Sequence, residues 1–270
     1  MGRRVVKIAG TYLVFDRIDY TKQTISALEK CVEANDIDWY VFQDGIKNPL
    51  SNKIYATEED LDAVKSIVDN SSLNILHFER SEWNGSIPQQ KWKAHQVFER
   101  GYDTIFFFED DLLVSKYYLR LLKIMSWQFP NDIGFLFNNK NEGSDLRQLT
   151  HCGDARLWGY YLNLPLYEKI KEGYNKYYTE IQKLDYNSRW LFGDVVINFP
   201  TRMHDVTITR LCKKFGARKL IPTITRSTYI GKDGNLAYRT KKFWEKKGMD
   251  GQPSKIEYDE DAYLKSFRRI

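Results

Sequence analysis

The chain has 270 residues, 42% hydrophobic and 29% charged, so it can bury a large core and has neither a disordered nor a collagen-like composition. Its net charge of +5 is too small to indicate nucleic-acid binding by itself. The three cysteines are far apart without CxxC spacing, which argues against a zinc site or a disulfide framework and favours a reducing compartment.

The N-terminal segment predicts neither a membrane anchor nor a signal peptide. No apolar run in the chain reaches the roughly 20 residues that a membrane-spanning helix needs. Residues 1–17 begin with basic residues and continue with an apolar stretch, but Lys7 interrupts the pattern and no small-residue cleavage site follows. We therefore predict a first strand in this segment and a cytoplasmic protein.

Strands and helices alternate through the first 115 residues. Apolar runs predict strands over residues 5–15, 38–45, 73–79 and 103–111. Amphipathic spacing predicts helices over residues 20–35, 57–70 and 88–101. Thr57 is suited to cap the second helix and Pro88 to open the third. The alternation predicts an α/β fold with a Rossmann-like, mostly parallel sheet flanked by helices.

The pattern is looser after residue 116. It predicts helices over residues 115–129 and 205–216, a strand over 132–139, and a strand or turn leading into a helix over 156–181. Strands and loop are predicted over residues 218–231. No repeat or linker divides the chain, which indicates a single domain.

Polar residues follow the predicted strands at their carboxyl ends, where ligands bind in parallel sheets. They are Asp16–Arg17, Asp44–Gly45, Glu79–Arg80 and Glu109–Asp110–Asp111. Three adjacent carboxylates repel one another and need hydrogen bonds or a cation. The triplet suits Mg²⁺ or Mn²⁺ held by few protein oxygens and completed by phosphate and water. Alternatively, its aspartates only stabilise the N-terminus of the next helix.

Three blocks of the sequence resemble one enzyme family. Residues 91–122, KWKAHQVFERGYDTIFFFEDDLLVSKYYLRLL, are similar to the metal-site region of N-acetylglucosaminyltransferase I and its bacterial and viral relatives, inverting glycosyltransferases of the GT-A fold. Residues 13–28 and 40–45 are similar to the first strand and helix and to the second strand of that family. Residues 204–234 resemble a helix opened by a catalytic Asp and then an NIGxDG loop, with Tyr229 in place of the Asn.

The resemblance implies a metal-dependent enzyme that moves a sugar from UDP, or another nucleoside diphosphate, to an acceptor hydroxyl with inversion. It implies Asp111 as the ligand of Mn²⁺ or Mg²⁺. Asp110 would then hold the ribose or a metal-bound water, and Asp44 the nucleotide base. Glu109 is expected only to order the end of its strand.

Asp205 is the candidate general base, since inversion needs a carboxylate to take the proton of the attacking hydroxyl. A base that works near neutral pH needs a raised pKa, which we expect apolar neighbours such as Val206 and Ile208 to supply. The alternatives are that Asp205 is only a helix N-cap, or that Asp194 is the base.

Further candidates for binding the donor have ordinary structural alternatives. Arg17 suits a phosphate or the base, but an ion pair with Asp16 or Asp19 is equally common. Lys91 faces the diphosphate or solvent, and Trp158 is a sugar-stacking platform or a core residue. The turn at Asn84 and Gly85 is expected to cradle the nucleotide.

The resemblance predicts one GT-A domain over residues 1–270. Residues 1–115 would bind the nucleotide sugar, residues 116–235 would bind the acceptor and carry catalysis, and residues 236–270 would form a basic tail or lid. The acceptor is a glycan or lipid-linked saccharide, with RTKKFWEKK (239–247) in peripheral contact with an anionic membrane, or the hydroxymethylated bases of DNA, as in some phages.

Two other classes of function remain open. A nucleotidyltransferase also places carboxylates and Mg²⁺ at a sheet edge, but it normally has a Gly-rich phosphate loop after its first strand, and AGTYLVFDR (9–17) is not one. A non-catalytic nucleotide-sugar-binding module would keep the fold without turnover. The presence of both Asp111 and Asp205 argues against such a module.

Overall fold

The computed structural model describes residues 6–48, 50–82, 87–138, 147–152, 157–182, 204–231 and 268–269. Several predicted features fall outside these ranges. Asn84 and Gly85, Asp194, and nearly all of the predicted tail over residues 236–270 lie outside the described residues.

The first half of the chain contains the predicted alternation of strands and helices. In order, its elements are β1 (Ile8–Val14), α1 (Ile18–Glu29), β2 (Asp38–Gln43), α2 (Glu58–Asp69), β3 (Ile75–Arg80), α3 (Ile87–Gln96) and β4 (Thr104–Glu109). Thr57 caps α2 as predicted, since its hydroxyl accepts a hydrogen bond from the Asp60 amide at 3.1 Å. Helix α1 ends six residues before its predicted end, and the left-handed backbone of Glu33 (φ 72°) lies just beyond it.

The second half contains shorter strands. Its elements are β5 (Leu112–Val114), α4 (Tyr118–Gln128), β6 (Ile133–Phe135), β7 (Gln148–His151), β8 (Tyr160–Asn163), α5 (Leu164–Ile181), α6 (His204–Lys214), β9 (Lys219–Pro222), β10 (Ser227–Tyr229) and β11 (Arg268–Arg269). Strands β5, β7 and β11 are absent from the sequence prediction, because two to four residues are too few to show an alternating pattern.

Nine strands of the described residues form one sheet in the order β11-β7-β9-β6-β8-β4-β1-β2-β3. Strand β1 pairs in parallel with both β2 and β4, and β2 pairs in parallel with β3. Strand β8 is antiparallel to β4 and β6 and joins the two halves. The predicted class, a single α/β domain with a mostly parallel sheet between helices, is confirmed.

The centre of the sheet is apolar and tightly packed. The Cβ of any larger residue at Gly10 in β1 would lie 2.6 Å from the ring of Trp39, its register partner in β2. Glycine therefore lets the fully buried indole lie against the β1 backbone, where its Nε1 donates to the carbonyl of Ala34 at 3.1 Å. No helix in the described parts of the chain has the length and apolar character to cross a membrane.

The parallel register brings the carboxyl ends of β1, β2 and β4 to one edge of the sheet. Leu13 is level with Glu109, and Val14 is level with Gln43. A separate antiparallel pair, β5 with β10, continues beyond this edge. It ends where the amide of Ile230 donates to the carbonyl of Asp111 at 2.8 Å, so the segment after β10 lies against the acidic triplet.

Candidate functional site

Arg17, which directly precedes α1, lies against the acidic triplet at the end of β4. Its Nε donates to Asp110 Oδ2 at 3.2 Å, its Nη2 also pairs with Asp110, and Nη2 lies 2.9 Å from Asp111 Oδ2. Burial opposes the charge of the guanidinium, but Asp110 and Asp111 outweigh burial and raise its pKa. Part of the positive charge that the triplet needs therefore comes from the chain itself, and Arg17 takes these partners rather than Asp16 or Asp19.

Lys91, on α3, supplies a second internal cation. Its Nζ lies 2.6 Å from Glu109 Oε1 and 3.4 Å from Asp205 Oδ1, and only 13% of its side chain is exposed. The two carboxylates raise its pKa against the effect of burial, so it stays charged. Its ammonium is thus bound to carboxylates rather than solvated, and its predicted contact with a donor diphosphate stays a prediction.

Asp205 lies inside the first turn of α6, so it is not the N-cap of that helix. Its Oδ1 is 3.2 Å from His204 Nδ1, and its Oδ2 accepts the Leu157 amide at 3.2 Å. Burial favours a higher pKa, but Lys91 and His204 outweigh burial and lower the pKa of Asp205. The expected upward shift is therefore wrong, because a buried cation lies where only apolar neighbours were expected.

Glu109 is one of the carboxylates at this edge whose pKa is raised, as are Asp16 and Asp110. Burial raises the pKa of Glu109 to about 7; Lys91 opposes this shift, while Asp111 and Asp205 add to it. From the sequence, Glu109 was expected only to order the end of its strand. The signal for its burial was the apolar run that leads directly into it.

Asp111 has the environment of a ligand-binding carboxylate. Its side chain is 6% exposed and its Oδ2 pairs with Arg17, whereas its Oδ1 is buried and has no hydrogen-bond partner among the residues that the structure describes. A Cβ at Gly231 would lie 2.7 Å from Asp111 Oδ2 and 2.5 Å from the Tyr229 hydroxyl, so a larger residue would crowd the carboxylate. An unpaired buried oxygen is costly unless a ligand or water satisfies it.

These residues fit a divalent cation only as an open site. Among the described residues, no group of three or more His, Cys, Asp or Glu side chains is placed to hold a metal ion. Mg²⁺ usually takes one or two carboxylates and completes its shell with phosphate oxygens and water. The unpaired oxygen of Asp111 fits that pattern, and a closed cage of protein ligands does not.

Asp44 lies at the same edge, at the end of β2. Its side chain is buried, its amide donates to the carbonyl of Val14 at 3.1 Å, and its Oδ1 accepts the amide of Gly45 at 3.1 Å. The sequence therefore placed Arg17, Asp44, Asp110 and Asp111 together correctly. Their binding roles stay predictions.

Trp158 lies in a buried aromatic cluster. It is 4% exposed, Tyr229 stacks on it at a centroid distance of 4.2 Å, and the edge of Phe137 contacts it at 4.8 Å. These contacts are typical of a core residue, which is one of the two alternatives that the sequence left for Trp158. A role in sugar stacking stays a prediction. Tyr229 departs from the NIGxDG loop in the sequence, but its contact with Trp158 is evident only in the structure.

No protein-family model and no curated protein matches the sequence. Among solved structures, S. aureus TarS 1–349 in complex with UDP-GlcNAc is similar with a TM-score of 0.55 and 13% identity, over 89% of this chain and 64% of that chain. TarS 1–349 with UDP has a TM-score of 0.43 at 13% identity, over 66% of this chain and 55% of that chain, which is too low to carry an argument.

The chain spans less than two thirds of the length of each of these TarS structures. At 13% identity the likeness shows the fold alone. The fold resembles that of TarS, and the relationship to N-acetylglucosaminyltransferase I stays a prediction.

Proposed function

We propose that the protein is a glycosyltransferase that transfers a sugar from a UDP-sugar to an acceptor hydroxyl with inversion at the anomeric carbon. The observation that carries the proposal is the meeting of Arg17, Asp44, Asp110 and Asp111 at the carboxyl edge of a glycosyltransferase-like sheet. In open α/β sheets this edge is where nucleotides bind. The structural likeness to a UDP-GlcNAc complex supports the same class of donor.

The donor roles follow from position. Asp44, at the end of β2, is proposed to receive the nucleotide base, and Asp110 the ribose. Asn84 and Gly85, which lie outside the described residues, are proposed from the sequence alone to line the same nucleotide. Arg17 is proposed to exchange its contact with Asp111 for a contact with a diphosphate oxygen when the donor binds. Guanidinium groups bind carboxylates and phosphates alike.

Asp111 is proposed to hold Mn²⁺ or Mg²⁺ through its unpaired oxygen. The bound cation would supply Lewis-acid neutralisation of the diphosphate leaving group. The protein residues then keep the rest of the triplet neutralised, Arg17 at Asp110 and Lys91 at Glu109.

Asp205 is proposed to accept the proton of the acceptor hydroxyl. As that oxygen bonds to the anomeric carbon, the bond from the anomeric carbon to the UDP oxygen breaks and UDP leaves with the electron pair. A carboxylate with a lowered pKa is ionised at neutral pH but is a weak base. Glu109, on the other side of Lys91, is the alternative proton acceptor by position.

We propose a glycan or a lipid-linked saccharide as the acceptor, in keeping with the resemblance to N-acetylglucosaminyltransferase I. Hydroxymethylated DNA is the second acceptor class to be tested. Peripheral membrane contact through residues 239–247 and a cytoplasmic location also stay predictions.

UDP release tests this function directly. A panel of UDP-sugars would be combined with lipid-linked saccharides or hydroxymethylated DNA, with Mn²⁺ present. We expect one donor and one acceptor class to release UDP, and Asp205→Asn to lower kcat at least about 100-fold with little change in the donor KM.

Asp62→Asn, at a carboxylate on α2 whose side chain is 67% exposed, is the matched control and should keep full activity. If UDP release persists in Asp205→Asn but is lost in Glu109→Gln, Glu109 rather than Asp205 is the general base. A donor that binds but never releases UDP would indicate a non-catalytic module, and release of pyrophosphate a nucleotidyltransferase.

A further inference from the structure

Lys91 joins three parts of the molecule that are far apart in the chain. It lies on α3, and its ammonium contacts Glu109 at the end of β4 and Asp205 at the start of α6. Residues 91 and 205 are separated by 114 positions. The contact therefore connects the predicted donor half of the domain to the predicted acceptor half.

Both oxygens of Asp205 are held by different segments. Oδ1 receives Lys91 Nζ at 3.4 Å and His204 Nδ1 at 3.2 Å, and Oδ2 receives the Leu157 amide at 3.2 Å. The side chain is only 17% exposed. A carboxylate fixed from two sides by buried donors has one orientation, which a base needs in order to meet an incoming hydroxyl.

We propose that Lys91 is a positioning residue, whose ammonium group holds the Asp205 carboxylate against the end of β4 and keeps it charged for proton transfer. The inference rests on the proposed function. It gives Lys91 a different role from the predicted contact with the donor diphosphate, because the ammonium already has two carboxylate partners.

Lys91 is the cation that governs the charge of Asp205. The titratable groups that face Asp205 come from five elements: Lys91 on α3, Glu109 on β4, Tyr160 on β8, Tyr174 on α5 and His204 on α6. Burial lowers the pKa of His204 to about 4, and burial raises the pKa of both tyrosines, so these three are neutral at pH 7. Within the described part of the chain, Lys91 is thus the charged partner that Asp205 has at salt-bridge distance.

Removing the ammonium would leave two partly buried carboxylates with no cation between them among the described residues. Each would then disfavour ionisation of the other, in addition to the cost of burial. The Asp205 carboxyl would consequently take up a proton at higher pH and lose the contact that orients it.

The test compares Lys91→Met, which keeps the length of the side chain, with Lys91→Arg, which keeps its charge. The titration of the Asp205 carboxyl carbon would be followed by NMR in Asp-labelled protein, with Asp205→Asn to assign the signal. We expect the midpoint to rise by at least about one pH unit in Lys91→Met and to stay near the wild-type value in Lys91→Arg. The acid limb of kcat for UDP release should move upwards by a similar amount.

An unchanged Asp205 midpoint in Lys91→Met would overturn the inference. So would a higher donor KM with an unchanged pH profile of kcat, because that result would make Lys91 a donor-binding residue. The NMR titration needs no substrate, so failure of the inference is distinguishable from failure of the proposed function, which is tested by UDP-sugar binding and release.

If Lys91→Met alone does not fold, the double variant Lys91→Met/Glu109→Gln tests the inference in its place. This double variant removes one carboxylate along with the ammonium and so preserves the local net charge. Relative to Glu109→Gln alone, it should still raise the Asp205 midpoint, and equal midpoints in the two proteins would contradict the inference.

Discussion

Arg17 and Asp111 show how an acidic triplet can be stable before any ligand binds. The guanidinium pairs with Asp110 and Asp111, both almost fully buried, and within the described part of the chain one Asp111 oxygen has no hydrogen bond. The sequence indicated that a positive charge belongs at this position. It did not show that the chain provides that charge, because residues 17 and 110 are 93 positions apart and meet only through the sheet.

Replacing Arg17 should therefore lower the stability of the folded protein. We expect Arg17→Met to lower the free energy of unfolding by about 3–5 kcal/mol at pH 7, since it leaves buried carboxylates uncompensated. Mn²⁺ should restore part of the loss, which urea unfolding with and without the ion would measure. Lys65→Met is the control, because Lys65 and its ion-pair partner Asp69 are both exposed; it should lower the free energy of unfolding by about 1 kcal/mol or less. Equal stability of Arg17→Met and the wild type would refute the ion-pair account.

Two buried histidines make the stability of the protein sensitive to acid. Burial lowers the pKa of His204 to about 4 and that of His95 well below its usual value, and their rings lie 5.6 Å apart. The unfolded chain takes up protons near pH 6.5, but the folded chain does not until lower pH. This contribution to stability is therefore complete above about pH 6.5 and is lost as the pH falls towards 4.

We expect His204 alone to account for about 3 kcal/mol of that loss by pH 4. His204→Asn keeps a donor near Asp205 and cannot be protonated, so its stability should fall less between pH 7 and pH 4.5. Urea midpoints at the two pH values would measure the difference, with His151→Asn, at an exposed position, as the control. If His204→Asn loses as much stability between pH 7 and pH 4.5 as the wild type does, the His204 ring is not a source of the acid sensitivity.

At the scale of elements, the long, patterned segments were predictable and the short ones were not. Strand β4 is a continuous apolar run and α2 has a capping residue and an amphipathic face, and both signals are local. Strand β5 has three residues and exists because β10 pairs with it from 113 or more positions away. Its place beside the triplet, and with it the contact of Ile230 with Asp111, depends on tertiary pairing.

Gly10 tests the packing between β1 and β2. Gly10→Ala should reduce the free energy of unfolding by about 1–3 kcal/mol, because the new Cβ meets the rigid Trp39 ring. Denaturant unfolding would measure the loss. In a Trp39→Leu background, Gly10→Ala should reduce the free energy of unfolding by less. An equal reduction in both backgrounds would mean that the indole does not clash with the new Cβ.

At the scale of the whole molecule, the order of the sheet determines the candidate site. The rule that ligands bind at the carboxyl ends of parallel strands correctly grouped Arg17, Asp44, Asp110 and Asp111. The rule does not say that β1 lies beside β4, which brings Arg17 to the triplet. Nor does it place Lys91 beside Asp205, which changes the expected pKa of the candidate base from raised to lowered.

The most direct test of the central claim is the melting temperature of the protein with a panel of nucleotide sugars that includes UDP-GlcNAc, with and without Mn²⁺. A ligand at 100 times its Kd should stabilise the folded protein by about 2.7 kcal/mol. We predict that one UDP-sugar raises the melting temperature in the presence of Mn²⁺, that Asp111→Asn abolishes the rise, and that Asp62→Asn does not. No rise with any UDP-sugar in the presence of Mn²⁺ would contradict a nucleotide-sugar site at this edge of the sheet.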